Sequence, residues 1–125
     1  MTQVRLDHVQ IAIPRGAEDQ AREFYGVVLG LKETAKPAAL ANRGGLWFVL
    51  GDGIGLHLGV DSRFQPATKA HPGLIVEDLD LFRTRLFESG ITADPDVDAM
   101  GRERVYVDDP FGNRIELIGT NSRRT

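Results

Sequence analysis

Residues 103–118 read ERVYVDDPFGNRIELI, and this stretch decides the fold because the chain contains a second copy of its pattern. Two alternating, strand-like runs flank a turn that carries proline and glycine. An offset of 59 residues aligns it with GGLWFVLGDGIGLHLG at 44–59 and places His57 opposite Glu116. An offset of 63 aligns LDHVQIAI with KAHPGLIV and places His8 opposite His71. The sequence therefore predicts one structural unit written twice.

Both copies predict the same order of elements, a strand, a helix and three further strands. In the first copy the strands are predicted at 4–13, 31–34, 45–50 and 54–60, and the helix at 21–29, ended by Gly30. In the second copy the strands are predicted at 70–76, 91–94, 103–108 and 113–118, and the helix after the N-cap Asp78, ended by Gly90. A loop is expected at 95–102.

These elements predict an α+β fold built from two tandem βαβββ modules. Each helix has one apolar stripe, so a mostly antiparallel sheet with the helices on its outer face satisfies both copies. We expect a single domain at 1–119 and a flexible tail at 120–125. Within the domain, module one spans about 4–60, a linker 61–69 and module two about 70–118.

Composition excludes several classes of function. The chain has 125 residues, a net charge of −3 and no basic stripe, so neither nucleic acid nor a membrane is an expected partner. It has no cysteine, which excludes disulfides, thiolate metal sites and thiol nucleophiles. No segment resembles a signal peptide or reaches membrane-spanning length, so a cytoplasmic protein is expected.

The candidate site residues share one face of their strands. Side chains alternate across a strand, so His57 lies with Gly55 and Gly59, while the leucines beside it take the other face. His71 and Glu116 follow the same pattern. The aliphatic face is expected to pack on the helices, which leaves the polar side chains on the opposite face, where the glycines make room.

Three imidazoles and one carboxylate in register predict a divalent-metal site. Nitrogen and oxygen ligands of this kind suit zinc, nickel, manganese, cobalt or iron. His8, His71 and Glu116 form the core of the predicted set, because buried ionisable groups need partners or a metal. His57 keeps three alternatives, a fourth ligand, a general base beside the metal, or a pocket residue that contacts substrate. Glu116 and His57 are the candidate catalytic groups.

Four segments resemble the vicinal oxygen chelate superfamily, which includes glyoxalase I, fosfomycin-resistance proteins, extradiol dioxygenases, methylmalonyl-CoA epimerase and bleomycin-resistance proteins. The resemblance covers the chain to about Gly119. It implies a cup around a divalent metal held by His8, His71 and Glu116, with His57 where glyoxalase I carries a glutamate. It also implies a homodimer with the site near the chain–chain interface. The segments are LDHVQIAI, AREFYGVVLGL, HPGLIVED and, most specifically, VDDPFGNRIELI.

The resemblance implies a metal-dependent enzyme, a glyoxalase-like lyase or isomerase or a dioxygenase, whose metal chelates neighbouring oxygens of a small metabolite. Ala12 stands where bacterial glyoxalase I usually has an arginine that helps hold glutathione. The absence of that arginine and the presence of His57 in place of a carboxylate both argue against true lactoylglutathione lyase activity. The alternatives are a non-catalytic protein that binds a drug or metabolite, like the bleomycin-resistance proteins, and a structural or regulatory domain with a relict site.

Other polar or aromatic residues are candidates for the substrate pocket. Gln10 shares the face of His8, and Trp47 either lines an apolar pocket or fills the core. Arg43 and Arg114 either bind an acidic group of the substrate or are ordinary exposed arginines. Glu103 is an alternative general base.

Overall fold

The computed structural model describes residues 2–120. The chain divides into two compact units, unit 1 at Met1–Gln65 and unit 2 at Pro66–Thr125. The boundary falls within 61–69, the segment that the sequence predicts as a linker. No strand or helix occurs in that segment.

The predicted tail at 120–125 lies outside the described residues except for Thr120. Within the described part of the chain, no helix has the length and apolar character needed to cross a membrane.

Each unit contains a strand, a helix and three strands in the predicted order. Unit 1 comprises β1 (His8–Ile13), α1 (Glu18–Ala21) continued by a π-helical segment (Arg22–Val28), β2 (Lys32–Thr34), a 3-10 helix (Ala38–Arg43), β3 (Leu46–Val49) and β4 (Gly55–Val60). Unit 2 comprises β5 (Gly73–Val76), α2 (Leu79–Glu88), β6 (Asp94–Val97), β7 (Glu103–Asp108) and β8 (Arg114–Gly119).

The strands of each unit form one four-stranded sheet with the same topology. The orders are β1-β4-β3-β2 and β5-β8-β7-β6, and the first and last strands of each unit pair in parallel. The other neighbours are antiparallel. Gln10 pairs with His57 in unit 1, and Gly73 pairs with Glu116 in unit 2, which are equivalent positions of the repeat. The predicted α+β fold of paired βαβββ modules is confirmed.

The alternation predicted for the strands is present, and one face of each sheet forms the core. Leu56 and Leu58 on either side of His57 are each 1 % exposed, and burying such a side chain contributes roughly 2 kcal/mol. The helical layer of unit 1 packs on this face, with the ring centroids of Tyr25 and Phe48 6.1 Å apart. The polar residues of β1 and β4 therefore lie on the opposite face.

The first helix differs from the prediction in its winding. Leu29 N donates to the carbonyl of Phe24, five residues earlier, as in a π-helix. The predicted apolar stripe is nevertheless buried, and Gly30 follows the helix with a φ of 71°. The apolar spacing predicted the buried face of the helix correctly. It does not distinguish an α-helix, in which each N–H donates to the carbonyl four residues earlier, from a π-helix, in which the carbonyl is five residues earlier.

The second strand of the second copy was predicted three residues too early. It was predicted at 91–94, with a loop at 95–102, whereas β6 spans Asp94–Val97. Its sequence, DPDV, lacks the apolar alternation of a half-buried strand and is exposed along its length. Among the strands that the structure describes, β6 pairs with β7 alone, and such an edge strand tolerates Pro95 because one of its sides needs no hydrogen bonds within the sheet.

A buried polar cluster, which we call the Asp109–Asn113 clasp, closes the turn between β7 and β8. One carboxylate oxygen of Asp109 accepts from the backbone N–H of Phe111 at 2.9 Å and of Asn113 at 2.8 Å. The other accepts from the Asn113 amide at 2.9 Å. The amide oxygen of Asn113 accepts from Ala67 N at 2.9 Å. The DPFGN segment therefore also fixes the end of the linker.

We expect Gly45→Ala to destabilise unit 1 by about 3 kcal/mol, since strained backbone and a core clash add. Gly45 has a φ of 84°, and a Cβ there would lie 2.2 Å from the carbonyl oxygen of Leu58. Urea unfolding measures the change. Gly51→Ala is the matched control, because no atom lies within 4 Å of its added Cβ and its φ is not positive. Equal unfolding midpoints for the two variants would contradict this account.

Candidate functional site

In unit 2, β8 places Glu116 directly beside His71. Glu116 is 8 % exposed although it is charged, so its carboxylate needs partners. His71 Nε2 lies 2.9 Å from Glu116 Oε1, and His71 Nδ1 lies 2.9 Å from the carbonyl oxygen of Lys69. Two of the predicted site residues are therefore in contact.

The surroundings of His71 leave one ring nitrogen suited to a cation. The Lys69 carbonyl only accepts, so the proton of a neutral imidazole belongs on Nδ1, and the lone pair of Nε2 then faces Glu116 Oε1. Two lone-pair atoms at 2.9 Å need a cation between or beside them, either a proton or a metal ion. Two ligands of one metal, with bonds of about 2.1 Å, lie about 3.0 Å apart when the angle between them is a right angle and about 3.4 Å apart in a tetrahedral site. The two donors of unit 2 therefore fit neighbouring positions around one divalent metal when that angle is close to a right angle.

A chain of ion pairs continues from Glu116 across the sheet. Arg104 Nη1 donates to Glu116 Oε2 at 3.1 Å, and Arg104 Nη2 donates to Asp96 Oδ2 at 2.8 Å. The two carboxylates, with the Asp96 hydrogen bond as the larger cause, raise the pKa of the Arg104 guanidinium above its ordinary value. The same hydrogen bond from Arg104 lowers the pKa of Asp96. Arg104 is therefore a fixed cation.

Tyr106 is flanked by two guanidinium groups. The Cζ atoms of Arg104 and Arg114 each lie 4.9 Å from its ring centroid, within the range of cation–π attraction. The His71 ring meets Tyr106 edge-on with centroids 5.6 Å apart. Within the described residues Arg114 makes no ion pair, so this contact is what positions it.

In unit 1, the corresponding face carries a stack of rings instead of an ionic network. His57 lies parallel to Trp47, with centroids 3.9 Å apart and planes at 4°. The His8 ring stacks on His57 as well, with ring centroids 4.6 Å apart and planes at 16°. A Cβ at Gly55 would lie 2.7 Å from His57 Nε2, so the absence of a side chain there lets the imidazole lie flat along the strand. The sequence predicted room beside His57, and the imidazole itself occupies it.

The stack keeps His57 neutral. Burial first, and then the neighbouring His8, lower the pKa of His57 below its ordinary value of 6.5, while Asp7 acts in the opposite direction. Among the described residues nothing forms a hydrogen bond with its imidazole. His57 therefore offers a neutral ring whose nitrogens are free to accept or donate.

His8 is held by a carboxylate that the sequence analysis missed. Asp7 Oδ2 lies 2.8 Å from His8 Nδ1, which leaves Nε2 as the open position. Histidines that bind metals commonly have such an acceptor on the second nitrogen. Both His8 and Gln10 line a pocket of about 420 Å³ in unit 1, together with Trp47 and His57.

The remaining predicted site residues lie elsewhere. Arg43 ends the 3-10 helix and is exposed. Glu103 has the strand parity of the buried Val105, and its carboxylate lies 3.5 Å from Arg83 of α2, on the helix side of the sheet. Glu103 is therefore not brought together with Glu116.

The four candidate ligands occur as two pairs, His8 with His57 and His71 with Glu116. Over residues 2–120, no group of three or more histidine, aspartate or glutamate side chains is arranged to hold a metal ion. The observed clusters are a ring stack in unit 1 and an ion-pair chain in unit 2.

Strand parity could have revealed part of what the sequence analysis missed. Arg104 lies two residues before Tyr106 and so shares the face of Glu116. The apolar alternation was used to identify the strand, and Arg104 on its other face was not considered. Asp96 could not have been found in this way, because its strand was predicted in the wrong place.

These features define a class of protein, paired βαβββ units that present histidines and a carboxylate on one face of each sheet. The chain belongs to the Glyoxalase/Bleomycin resistance protein/Dioxygenase superfamily, whose model matches residues 5–117. Among curated proteins, no significant match to this chain is found.

Several solved structures are similar to this chain. A glyoxalase family protein from Bacillus anthracis is 42 % identical, with 97 % of this chain and 99 % of that chain covered and a TM-score of 0.91. A glyoxalase/dioxygenase from Nostoc punctiforme is 23 % identical over 94 % and 92 %, with a TM-score of 0.76. A lactoylglutathione lyase from Agrobacterium tumefaciens is 20 % identical over 96 % of each chain, with a TM-score of 0.68. The last two show the fold alone.

We expect the fluorescence of Trp47, the only tryptophan, to fall with a midpoint below pH 6.5 as the stacked His57 becomes charged. The pKa of His57 is lower in the folded chain than in the unfolded chain, so the unfolded chain takes up this proton at a higher pH. Acidification from pH 6.5 downward therefore also favours unfolding. A fluorescence titration measures the midpoint, and His57→Gln should remove the transition. A midpoint at or above 6.5, or a transition unchanged in His57→Gln, would show that the stack does not control this proton.

Proposed function

We propose that this protein is a divalent-metal-dependent enzyme that acts on a small oxygenated metabolite. The reaction is of the glyoxalase-like lyase or isomerase type, or of the dioxygenase type. His8, His71 and Glu116 hold the metal, which is zinc, nickel, manganese, cobalt or iron, and His57 lies in the substrate pocket. A homodimer with its site near the chain–chain interface and a cytoplasmic location form part of this proposal.

The observation that carries the proposal is the contact between His71 Nε2 and Glu116 Oε1. Because the Lys69 carbonyl fixes the proton on Nδ1, the two facing atoms are both electron-pair donors. A structural histidine–carboxylate pair needs only a proton there, whereas a second histidine with its Nδ1 on a carboxylate, as in His8, supports a metal.

When bound, a divalent metal supplies a Lewis acid that stabilises negative charge on substrate oxygens. The chain's own residues bind the substrate and move its protons. His57 is neutral, so its free nitrogen is suited to accept a proton from a bound substrate. Trp47 provides a flat apolar wall beside it, and the Gln10 amide provides hydrogen bonds in the same pocket.

A second candidate function is binding without turnover, as in a drug- or metabolite-binding protein. It is favoured by one observation, that no group of three ligand side chains is assembled within residues 2–120. Under this alternative, the pocket with Trp47 and His57 binds a small molecule in a way that a chelator does not affect. Ligand displacement with and without chelator separates the two functions.

We expect the purified protein to retain close to one divalent metal ion per chain, and His71→Ala or Glu116→Gln to lose it. Each substitution removes one of the two donor atoms that face each other in unit 2. Elemental analysis after gel filtration measures the metal content.

Glu103→Gln is the matched control, because this carboxylate lies on the same sheet but on its helix side. It should keep the metal, and all variants should melt cooperatively. Full metal occupancy in both His71→Ala and Glu116→Gln would contradict the proposed metal site.

A further inference from the structure

On the basis of the metal site proposed above, we propose that Arg104 is a positioning residue that orients the carboxylate of Glu116 toward His71, and that Asp96 fixes Arg104 in turn. Neither Arg104 nor Asp96 is a ligand in this proposal. Their role is to determine which oxygen of Glu116 is available.

The interactions run in one line across the sheet of unit 2. From the edge strand β6, Asp96 binds Arg104 on β7, and Arg104 binds Glu116 on β8. Glu116 then contacts His71, in the segment that leads into β5. This sequence of residues follows the strand order β6-β7-β8-β5, so each partner is delivered by the neighbouring strand.

The two oxygens of Glu116 have different partners, and this asymmetry is the basis of the proposal. Oε2 accepts from Arg104 Nη1 at 3.1 Å, whereas Oε1 faces His71 Nε2 at 2.9 Å. A carboxylate without a partner on Oε2 rotates about its terminal bond, which has broad torsional preferences. With Arg104 in place, rotation breaks a charge-assisted hydrogen bond, so Oε1 stays directed at His71.

Arginine is suited to this role for reasons of shape. Its planar fork lets Nε and Nη2 bind Asp96 while Nη1 binds Glu116. The guanidinium also lies 4.9 Å from the Tyr106 ring, and the side chain is 21 % exposed. A lysine places one compact charge at the end of a flexible stem and cannot make the same two-way contact.

Positive charge near a metal ligand weakens cation binding, and this effect opposes the positioning effect. Here the charge of Arg104 is shared with a second carboxylate, since Asp96 contacts it at 2.8 Å. The three groups together carry a net negative charge, so the repulsion of a cation is offset. We therefore expect orientation to dominate.

The test is the zinc affinity of Arg104→Met, measured by competition with a chromophoric chelator. We expect affinity to fall by about tenfold to a hundredfold, the usual cost of removing a partner of a metal ligand. Arg104→Lys should also bind zinc more weakly than the unchanged chain, because it keeps the charge but loses the fork. Arg83→Met is the matched control, since Arg83 contacts Asp80 and Glu103 on the helix side of the same unit.

A second measurement does not require metal. In the metal-free protein, the imidazole ¹⁵N resonances of His71 should shift in Arg104→Met, while those of His8 in unit 1 should not. A purely structural role for Arg104 would lower the melting temperature without this selective change.

Zinc affinity equal to or above that of the unchanged chain in a folded Arg104→Met variant would overturn the positioning role, as would full affinity in Arg104→Lys. Failure of the unchanged chain to bind metal would instead refute the proposed function. In that case the His71 resonances decide whether Arg104 orients Glu116, and unchanged resonances overturn that role too.

Discussion

The parallel pairing of the first and last strands in each unit is the constraint on which the rest of the structure depends. It sets Gln10 beside His57 and Gly73 beside Glu116, at equivalent positions of the repeat. A slip of one residue would turn every side chain of the moved strand to the other face. The leucines that flank His57 would then lose their place in the core, so burial of the apolar face fixes the position of the polar one.

The two units use the same positions for different chemistry. Where unit 1 stacks His57 on Trp47, unit 2 places Glu116 near Tyr106 and adds a guanidinium. The repeat position of Arg104 in unit 1 is Gly45, whose backbone leaves no space for a side chain. One strand pattern therefore produces two kinds of surface. It is neutral and polarisable in unit 1, and it is a network of fixed charges in unit 2.

Sequence patterns predicted the architecture and part of the site. The strand alternation and the repeat offsets gave the correct module order, and parity placed His71 and Glu116 on one face, where they are in contact. Exposed edge strands such as Asp94–Val97 carry no apolar alternation, so β6 was misplaced. Ring stacking and hydrogen bonding depend on rotamers, which strand periodicity does not encode. This is why the Trp47–His57 stack and the contacts of Asp7 and Arg104 could not be predicted from the sequence.

The Asp109–Asn113 clasp limits where the segment that joins the two units can be lengthened. Because the Asn113 side chain accepts a hydrogen bond from Ala67 N, the chain is already attached to unit 2 at Ala67. On the other side, Asp61 N is bonded to the carbonyl of Ile13. Between these two bonds the chain is exposed at Gln65, and lengthening a loop there costs about 0.6 kcal/mol for each doubling of its length. An inserted affinity tag or reporter domain belongs there, and not two residues later.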